Sequence, residues 1–185
     1  MIIYLEIEKI LNQNCKKGFK VLEIGGIKGG YLSTRKDIEL IVSNIDSNLE
    51  TDITFNAESI PYENDTFDLV FMVACDYFIK NINQAHLEIK RILKKDGVLI
   101  IASYKENKLK YLQNINKQEF NIDSFVYSKE EYNHKLKNLG FDVKNIYIKN
   151  NPPKSILKKL IWNFVTEKEK LKRSPWIIYK CLKNI

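Results

Sequence analysis

The chain has 185 residues, 44% hydrophobic and 11% aromatic, which excludes a disordered polyelectrolyte and allows a substantial core in one domain. Its formal charge of +7 arises from 30 Lys and Arg against 23 Asp and Glu. No apolar run approaches the ~20 residues of a membrane span, and the opening MIIYLEIEKI lacks the basic region and cleavage site of a signal peptide.

The charge is local. Residues 1–150 carry 21 basic and 21 acidic side chains, whereas residues 151–185 carry 9 and 2. Arginine occurs only at Arg35, Arg91 and Arg173, so the basic balance is mostly a lysine bias and a weak sign of a nucleic-acid partner. Cys15, Cys75 and Cys181 are odd in number, scattered and without CxxC spacing. They read as reduced thiols of a cytoplasmic protein, with no disulfide frame and no metal site.

In chain order, Ile3, Ile7, Ile10 and Leu11 recur at helical spacing and predict a short amphipathic helix over residues 2–13. A strand, Lys20-Val-Leu-Glu-Ile24, is broken at once by Gly25-Gly26 and Gly29-Gly30. Ile38-Glu-Leu-Ile-Val42 reads as the second strand and Asp52-Ile-Thr-Phe55 as a short third. Phe67 to Val73 is nearly all apolar, as a parallel strand buried on both faces should be. Residues 83–94 show helical periodicity, with Lys95-Asp96-Gly97 as the stop, and Val98-Leu-Ile-Ile-Ala102 is the next strand. Ser128 is placed to cap a helix ending at Gly140. Phe141–Ile148 and Trp176–Leu182 alternate as strands. Strands and helices alternating at this spacing predict an α/β fold with a mostly parallel sheet.

The sharpest local signal is Val21-Leu-Glu-Ile-Gly-Gly-Ile-Lys-Gly-Gly30. Clustered glycines after a strand let the backbone turn tightly and approach a ligand closely. Glu23 lies inside the strand end, where a carboxylate can meet a cation. Asp46 follows 21 residues after Gly25, where an acid can accept both hydroxyls of a ribose.

In this order the motifs resemble those of the class I S-adenosylmethionine-dependent methyltransferases, in particular the type 11 and ubiquinone/menaquinone-biosynthesis-like group. Val21–Gly29 follows the first family motif, and Val42-Ser-Asn-Ile-Asp46 the second. Asn56–Asp68 is similar to the family's D-A-E-x-L-P-F segment, and Leu87–Gly97 to its L-x-E-I-x-R-V-L-K-P-G-G helix. The resemblance implies a Rossmann-like seven-stranded sheet of order 3-2-1-4-5-7-6 with strand 7 antiparallel, and S-adenosylmethionine as cofactor. It implies that the loop of Gly25, Gly26, Ile27 and Gly29 passes under the methionine moiety, with Glu23 near its ammonium group. Asp46 would hold the ribose, Asn56, Ala57 and Glu58 would flank the adenine, and Val73 and Ala74 would touch the cofactor.

The sequence departs from this pattern in four places. Ile27 replaces a glycine and is expected to crowd the loop. Asn56 replaces an aspartate. Nine residues separate Asp46 from Asn56, too few for the usual helix between strands 2 and 3. The family's frequent L-E-H reads Asp76-Tyr77-Phe78, so no histidine stands there. Asp76 and Tyr77 are the candidate catalytic residues where an acceptor should approach, although structural roles are open for both. His86 and His134 read as structural or surface residues, and Cys75 as a small core residue.

Residues 150–175 form a basic insert between the last two strands. Pro152-Pro153 opens a segment in which Ile156, Leu157, Leu160, Ile161 and Phe164 make an apolar stripe. A helix packed over the sheet edge, a wall of the acceptor pocket and a membrane-surface or nucleic-acid contact all remain open for it. The whole reading is a single-domain methyltransferase acting on a small-molecule or saccharide acceptor. A non-catalytic binding protein on the same fold and a nicotinamide-dependent oxidoreductase are the alternatives.

Overall fold

The computed structural model describes residues 2–106, 127–146 and 175–183. The expected basic helix of the 150–175 insert, and the end of the strand beyond residue 146, lie outside them. Seven strands form one sheet: β1 (Lys20–Ile24), β2 (Glu39–Asn44), β3 (Ile53–Thr54), β4 (Phe67–Val73), β5 (Leu93–Tyr104), β6 (Phe141–Ile146) and β7 (Trp176–Lys183). Their order is β3-β2-β1-β4-β5-β7-β6. Pairing is parallel from β3 to β5 and antiparallel where β7 lies between β5 and β6. The expected order and the antiparallel strand are both present.

Helix α1 (Ile2–Asn14) covers one face through Ile7, Ile10 and Leu11, as its spacing predicts. On the other face lie α2 (Ile82–Ile92) and α3 (Lys129–Asn138), which bury Ala85, Ile89, Tyr132 and Leu136. The central strands feed both cores in alternation. Val70, Met72, Leu99 and Ile101 face α2 and α3, whereas Leu69, Phe71, Ile100 and Ala102 face α1. A strand covered on both sides needs apolar residues at nearly every position, hence the FDLVFMV run, broken only by Asp68, which pairs with Lys94 near the strand's start.

The local signals act largely as read. Ser128 and Glu131 form a reciprocal capping box at the start of α3, and Asn81 caps α2 by accepting from Gln84 N–H at 3.2 Å. One boundary differs. Helix α2 stops at Ile92 rather than at residue 94, because Leu93 is already extended and pairs with Phe67. Lys95-Asp96-Gly97 therefore turns the chain within the early part of β5, with Asp96 at φ +61°, and does not cap the helix.

No helix joins β2 to β3. Residues 45–52 cross between them in turns, closed where Asp52 N–H donates to Val42 O at 2.8 Å and Val42 N–H donates to Asp52 Oδ2 at 2.9 Å. Further along, Arg91 fastens the Ile60–Asn64 loop to α2. Its guanidinium donates to Tyr62 O at 2.7 Å, to Ile60 O at 2.9 Å and to both oxygens of Glu88. That loop follows the Asn56–Glu58 segment and fixes where it leaves the sheet.

A lysine cannot reproduce a planar fork that serves two carbonyls and a carboxylate at once. Arg91→Lys is therefore expected to lower stability by about 1–2 kcal/mol, from lost charge-assisted hydrogen bonds. Urea denaturation checks this, and an unchanged midpoint would show that the loop is held by other contacts.

Candidate active site

Parallel strands that diverge on either side of β1 leave a crevice at their carboxyl ends. Here it is an open cleft of about 960 Å³. Its floor is Ile24 and Gly25 at the end of β1, and its walls come from Ser43–Asp46, Phe55–Glu58 and the Ala74–Lys80 turn. Gly25, Asp46, Asn56, Ala57, Glu58 and Ala74, all singled out from sequence, line it together. Glu23, Gly26, Ile27, Gly29 and Val73 do not.

The glycine turn has a steric logic at two positions. Gly25 sits at φ +78°, and a Cβ there would lie 2.7 Å from Cys75 Cβ and Sγ. A Cβ on Gly26 would fall 2.3 Å from Glu23 Cδ. The Glu23 side chain thus occupies the space that Gly26 leaves open. Ser43 O accepts from both turn amides, Gly25 N–H at 2.8 Å and Gly26 N–H at 3.0 Å. Cys75 Sγ–H donates to Ile24 O at 3.1 Å, which ties the turn after β4 to the same place. Cys75 is thus a cleft-lining residue, half-buried rather than part of the closed core.

The expected crowding by Ile27 does not occur. Its side chain is 51% exposed and its backbone is not in the left-handed region, so it turns away from the cleft without strain. Lys28 is tied to the crossing between β2 and β3. Its Nζ pairs with Asp52 at 2.8 Å and its N–H donates to Glu50 O at 2.8 Å. The short β2–β3 crossing thereby braces the glycine loop, a contact with no sequence signal.

Glu23 is 4% exposed and its Oε2 has no hydrogen-bond partner. Burial, and secondarily the nearby Glu8 carboxylate, push its carboxyl up to about 8. Asp46 is exposed, and its Oδ1 accepts from Asn48 N–H and from Asn48 Nδ2, both at 2.9 Å. That leaves its Oδ2 for a ligand. Asn56 Oδ1 accepts from Glu58 N–H at 3.0 Å, while Glu58 Oε1 accepts from Asn81 N–H at 2.9 Å at the start of α2. Ala74, at φ +54°, is a non-glycine residue held in a sparsely populated backbone region at the cleft wall.

Asp76 and Tyr77 lie on the one-turn helix Asp76–Phe78 and are not among the residues that line this cleft. They line a second, much smaller cavity of about 20 Å³ with Ser103 and Tyr104 of β5, Tyr127 and Tyr132 at α3, and Tyr179 of β7. Phe78 is exposed at the cleft rim. Asp76 is 6% exposed. Burial raises its carboxyl to about 6, against the opposing pull of the Ser103 and Tyr132 hydroxyls, and its Oδ1 has no partner.

His86 belongs to this group, which the sequence reading did not foresee. It is fully buried on α2, with Nε2 3.2 Å from Tyr132 Oη and Nδ1 unpartnered. Burial, and then Lys135, lower it to about 3, so the ring is neutral. With the proton on Nε2 it donates to Tyr132, which donates in turn to Asp76. The other tautomer would bury a donor with no acceptor, at about 1–3 kcal/mol. His134 faces solvent on α3, as expected. Only the helical spacing of His86 with Ala85 and Ile89 could have shown that it faces inward. Tyr179 sits on an apolar strand, where no motif marks it.

Residues 37–101, about a third of the chain, match the family model of a methyltransferase domain, type 11. Among solved structures, the Haloferax volcanii partner of the Trm112 methyltransferase activator superposes with a TM-score of 0.76 at 17% identity, covering 98% of this chain and 89% of its own. A SAM-dependent methyltransferase from Thermotoga maritima gives 0.71 at 20% identity, with 98% and 89% covered. Phosphoethanolamine N-methyltransferase 2 of Haemonchus contortus, solved with S-adenosyl-L-methionine, gives 0.68 at 17%, with 98% of this chain and 53% of that one covered. A search of curated proteins returned no match. The solved neighbours share the class I Rossmann-like sheet, and the segment from Asp37 to Ile101 is similar in sequence to the type 11 methyltransferase domain.

Among the described residues, no group of three or more His, Cys, Asp or Glu could hold a metal ion, and no helix is long and apolar enough to cross a membrane.

The neutral, buried His86 has a consequence for stability. The folded state keeps His86 unprotonated down to about pH 3, whereas the unfolded chain takes up a proton below about 6.5. Its effect on stability is therefore favourable above pH 6.5 and declines as pH falls from there towards 3. Between pH 7 and pH 5 the loss is about 2 kcal/mol, from 1.36 kcal/mol per unit of pH below the free value. Glu23 and Asp76, raised by burial, shift stability the opposite way in the acid range. The readout is thus the difference between wild type and His86→Phe in denaturation at several pH values. A difference that does not change with pH would mean that His86 takes up its proton in the folded protein as readily as in the unfolded chain.

Proposed function

We propose that the protein transfers a methyl group from S-adenosylmethionine to a small-molecule or saccharide acceptor. One observation carries this reading: a glycine turn at the carboxyl end of β1 covers a buried carboxylate, Glu23, that has an unpartnered oxygen and no cationic partner among the described residues. A carboxylate in that state is completed by an ammonium group, such as the one at the cofactor's methionine end. The remaining groups fit the same ligand. Gly25 offers backbone beside the methionine at the cleft floor, and Gly26, Ile27 and Gly29 continue the turn behind it. Asp46 Oδ2 can accept from the ribose. Asn56, Ala57 and Glu58 flank the adenine, with Ala74 closing the β4 side and Val73 behind it.

When bound, the cofactor supplies a methyl group that is already activated. The chain's own task is to hold an acceptor in line at near-attack distance and keep water out. An acceptor that must lose a proton first also needs a base. Asp76 and Tyr77, on the turn after β4, are the groups proposed to meet the acceptor. The match of residues 37–101 to methyltransferase domains supports the reading.

Glu23 makes cofactor binding a proton-linked event. Between about pH 4.5 and about pH 8 the empty site holds Glu23 protonated. An ammonium group beside it favours the charged form, so binding releases the proton. Calorimetric titration with S-adenosylhomocysteine near pH 6.5, in buffers of different ionisation enthalpy, should show release approaching one proton. Glu23→Gln should abolish it. No heat at millimolar ligand would contradict the cofactor assignment, as would a comparable response to NAD.

Asp46→Ala should weaken S-adenosylhomocysteine about tenfold, roughly 1.4 kcal/mol for the lost hydrogen bonds to ribose. An unchanged Kd would place the ribose elsewhere. Transfer of labelled methyl from S-adenosylmethionine separates an enzyme from a protein that only binds the cofactor on this fold.

A further inference from the structure

The small cavity behind the Asp76–Phe78 turn is chemically unlike the cleft. Asp76 brings into it a buried carboxylate with one oxygen unpartnered. Its other walls are the Ser103 hydroxyl and tyrosine rings from β5, β7, α3 and the turn itself. Tyr77 and Tyr104 lie 5.9 Å apart between ring centroids, and Tyr104 packs on Trp176 at 4.2 Å. Among the described residues no lysine, arginine or histidine lines the space, and the His86 ring behind Tyr132 is neutral. At about 20 Å³ it holds one water-sized group, so a head group enters while the bulk of a ligand stays outside.

The Asp76 carboxylate accepts from the Ser103 and Tyr132 hydroxyls and from the Asp76 and Tyr77 amides, yet its Oδ1 stays unmet, and a buried carboxylate is costly until a cation balances its charge. Aromatic faces favour the same sign of charge. A hydroxyl would satisfy Asp76 Oδ1 but would leave the charge uncompensated. The turn also sets the cavity against the cofactor cleft: Ala74, Cys75 and Phe78 line the cleft, while Asp76 and Tyr77, between them in sequence, line the cavity.

From this geometry we infer that the methyl acceptor is an amine, whose ammonium head enters the Asp76–tyrosine cavity and gives its proton to Asp76. This deepens the methyltransferase reading and rests on it. The step balances as follows. The ammonium N–H bond breaks and the proton passes to an Asp76 carboxylate oxygen, leaving a neutral amine. The nitrogen lone pair then forms the new bond to the methyl carbon while that carbon's bond to sulfur breaks, its electron pair remaining on sulfur. The product is the methylated ammonium with a neutral thioether, and Asp76 returns its proton to solvent. Tyr132, donating to Asp76 and accepting from His86, is a positioning residue that holds the carboxylate towards the cavity.

The probe is methylammonium chloride, observed by saturation-transfer NMR on the full chain with S-adenosylhomocysteine present. Methanol serves as the uncharged counterpart and potassium chloride as the ionic-strength control. Methylammonium should bind in the millimolar range and methanol at least tenfold more weakly. Asp76→Asn should weaken methylammonium at least tenfold, and Tyr104→Leu, which leaves Asp76 in place, several-fold. Should Asp76→Asn fail to fold, the Tyr104 variant and the methanol comparison still decide. Equal binding of the two probes, or no methylammonium binding up to about 100 mM while S-adenosylhomocysteine still binds, overturns the amine assignment alone. Loss of S-adenosylhomocysteine binding by the wild type overturns the methyltransferase reading beneath it. Incubation with methyl-labelled S-adenosylmethionine should place the label on nitrogen, and label found on oxygen would refute the inference.

Discussion

The carbonyl of Ser43 accepts from two successive amides, Gly25 and Gly26, and this pairing fixes the turn on which the site is built. It bends β1 back over its own Glu23 side chain, which fills the space that a Cβ on Gly26 would need. Because Gly25 also lacks a Cβ, Cys75 can close against it from the turn after β4. Three strand ends, β1, β2 and β4, are thereby held in contact around one backbone turn. The cleft, the orientation of Asp46 and the split between cleft and small cavity all follow from it.

The loss of the helix between β2 and β3 is absorbed at the same place. Asp52 closes the short crossing against Val42 and offers its other oxygen to Lys28. Glu50 O accepts from the Lys28 amide. A crossing of eight residues, 45–52, thus replaces a helical layer with direct braces on the glycine loop. Around this frame lie three buried ionisable groups that the described residues leave incompletely paired: Glu23, Asp76 and His86. Each costs the fold stability. Their concentration beside the cleft and its adjoining cavity is the pattern expected where a ligand completes what folding leaves open.

The fold is most legible in the sequence where one residue type answers one physical need. The nearly continuous apolar run of β4, the glycines after β1, Ser128 before Glu131, and nine residues between Asp46 and Asn56 each translate into an observed feature. It is least legible where the outcome depends on the direction of a side chain. Ile27 is expected to crowd the loop, yet its side chain stands exposed and its backbone, outside the left-handed region, carries no strain. Helix α2 ends two residues early because pairing of Leu93 with Phe67 competes with the helix. The Asp76–Tyr132–His86 chain joins a turn, α3 and α2 across long stretches of sequence, and no local pattern marks such a meeting. Lys28 and Asp52 came together for the same kind of reason, across a crossing whose path only the fold determines.

The most direct measurement of the central claim is the change in amide chemical shifts of isotope-labelled protein on adding S-adenosylhomocysteine. The account predicts the largest changes at Gly25, Gly26, Asp46 and Asn56 to Glu58, with smaller ones along the Ala74–Phe78 turn. No change at these amides, or changes centred on the Lys16, Lys94 and Lys180 groove at the opposite ends of the strands, would contradict it.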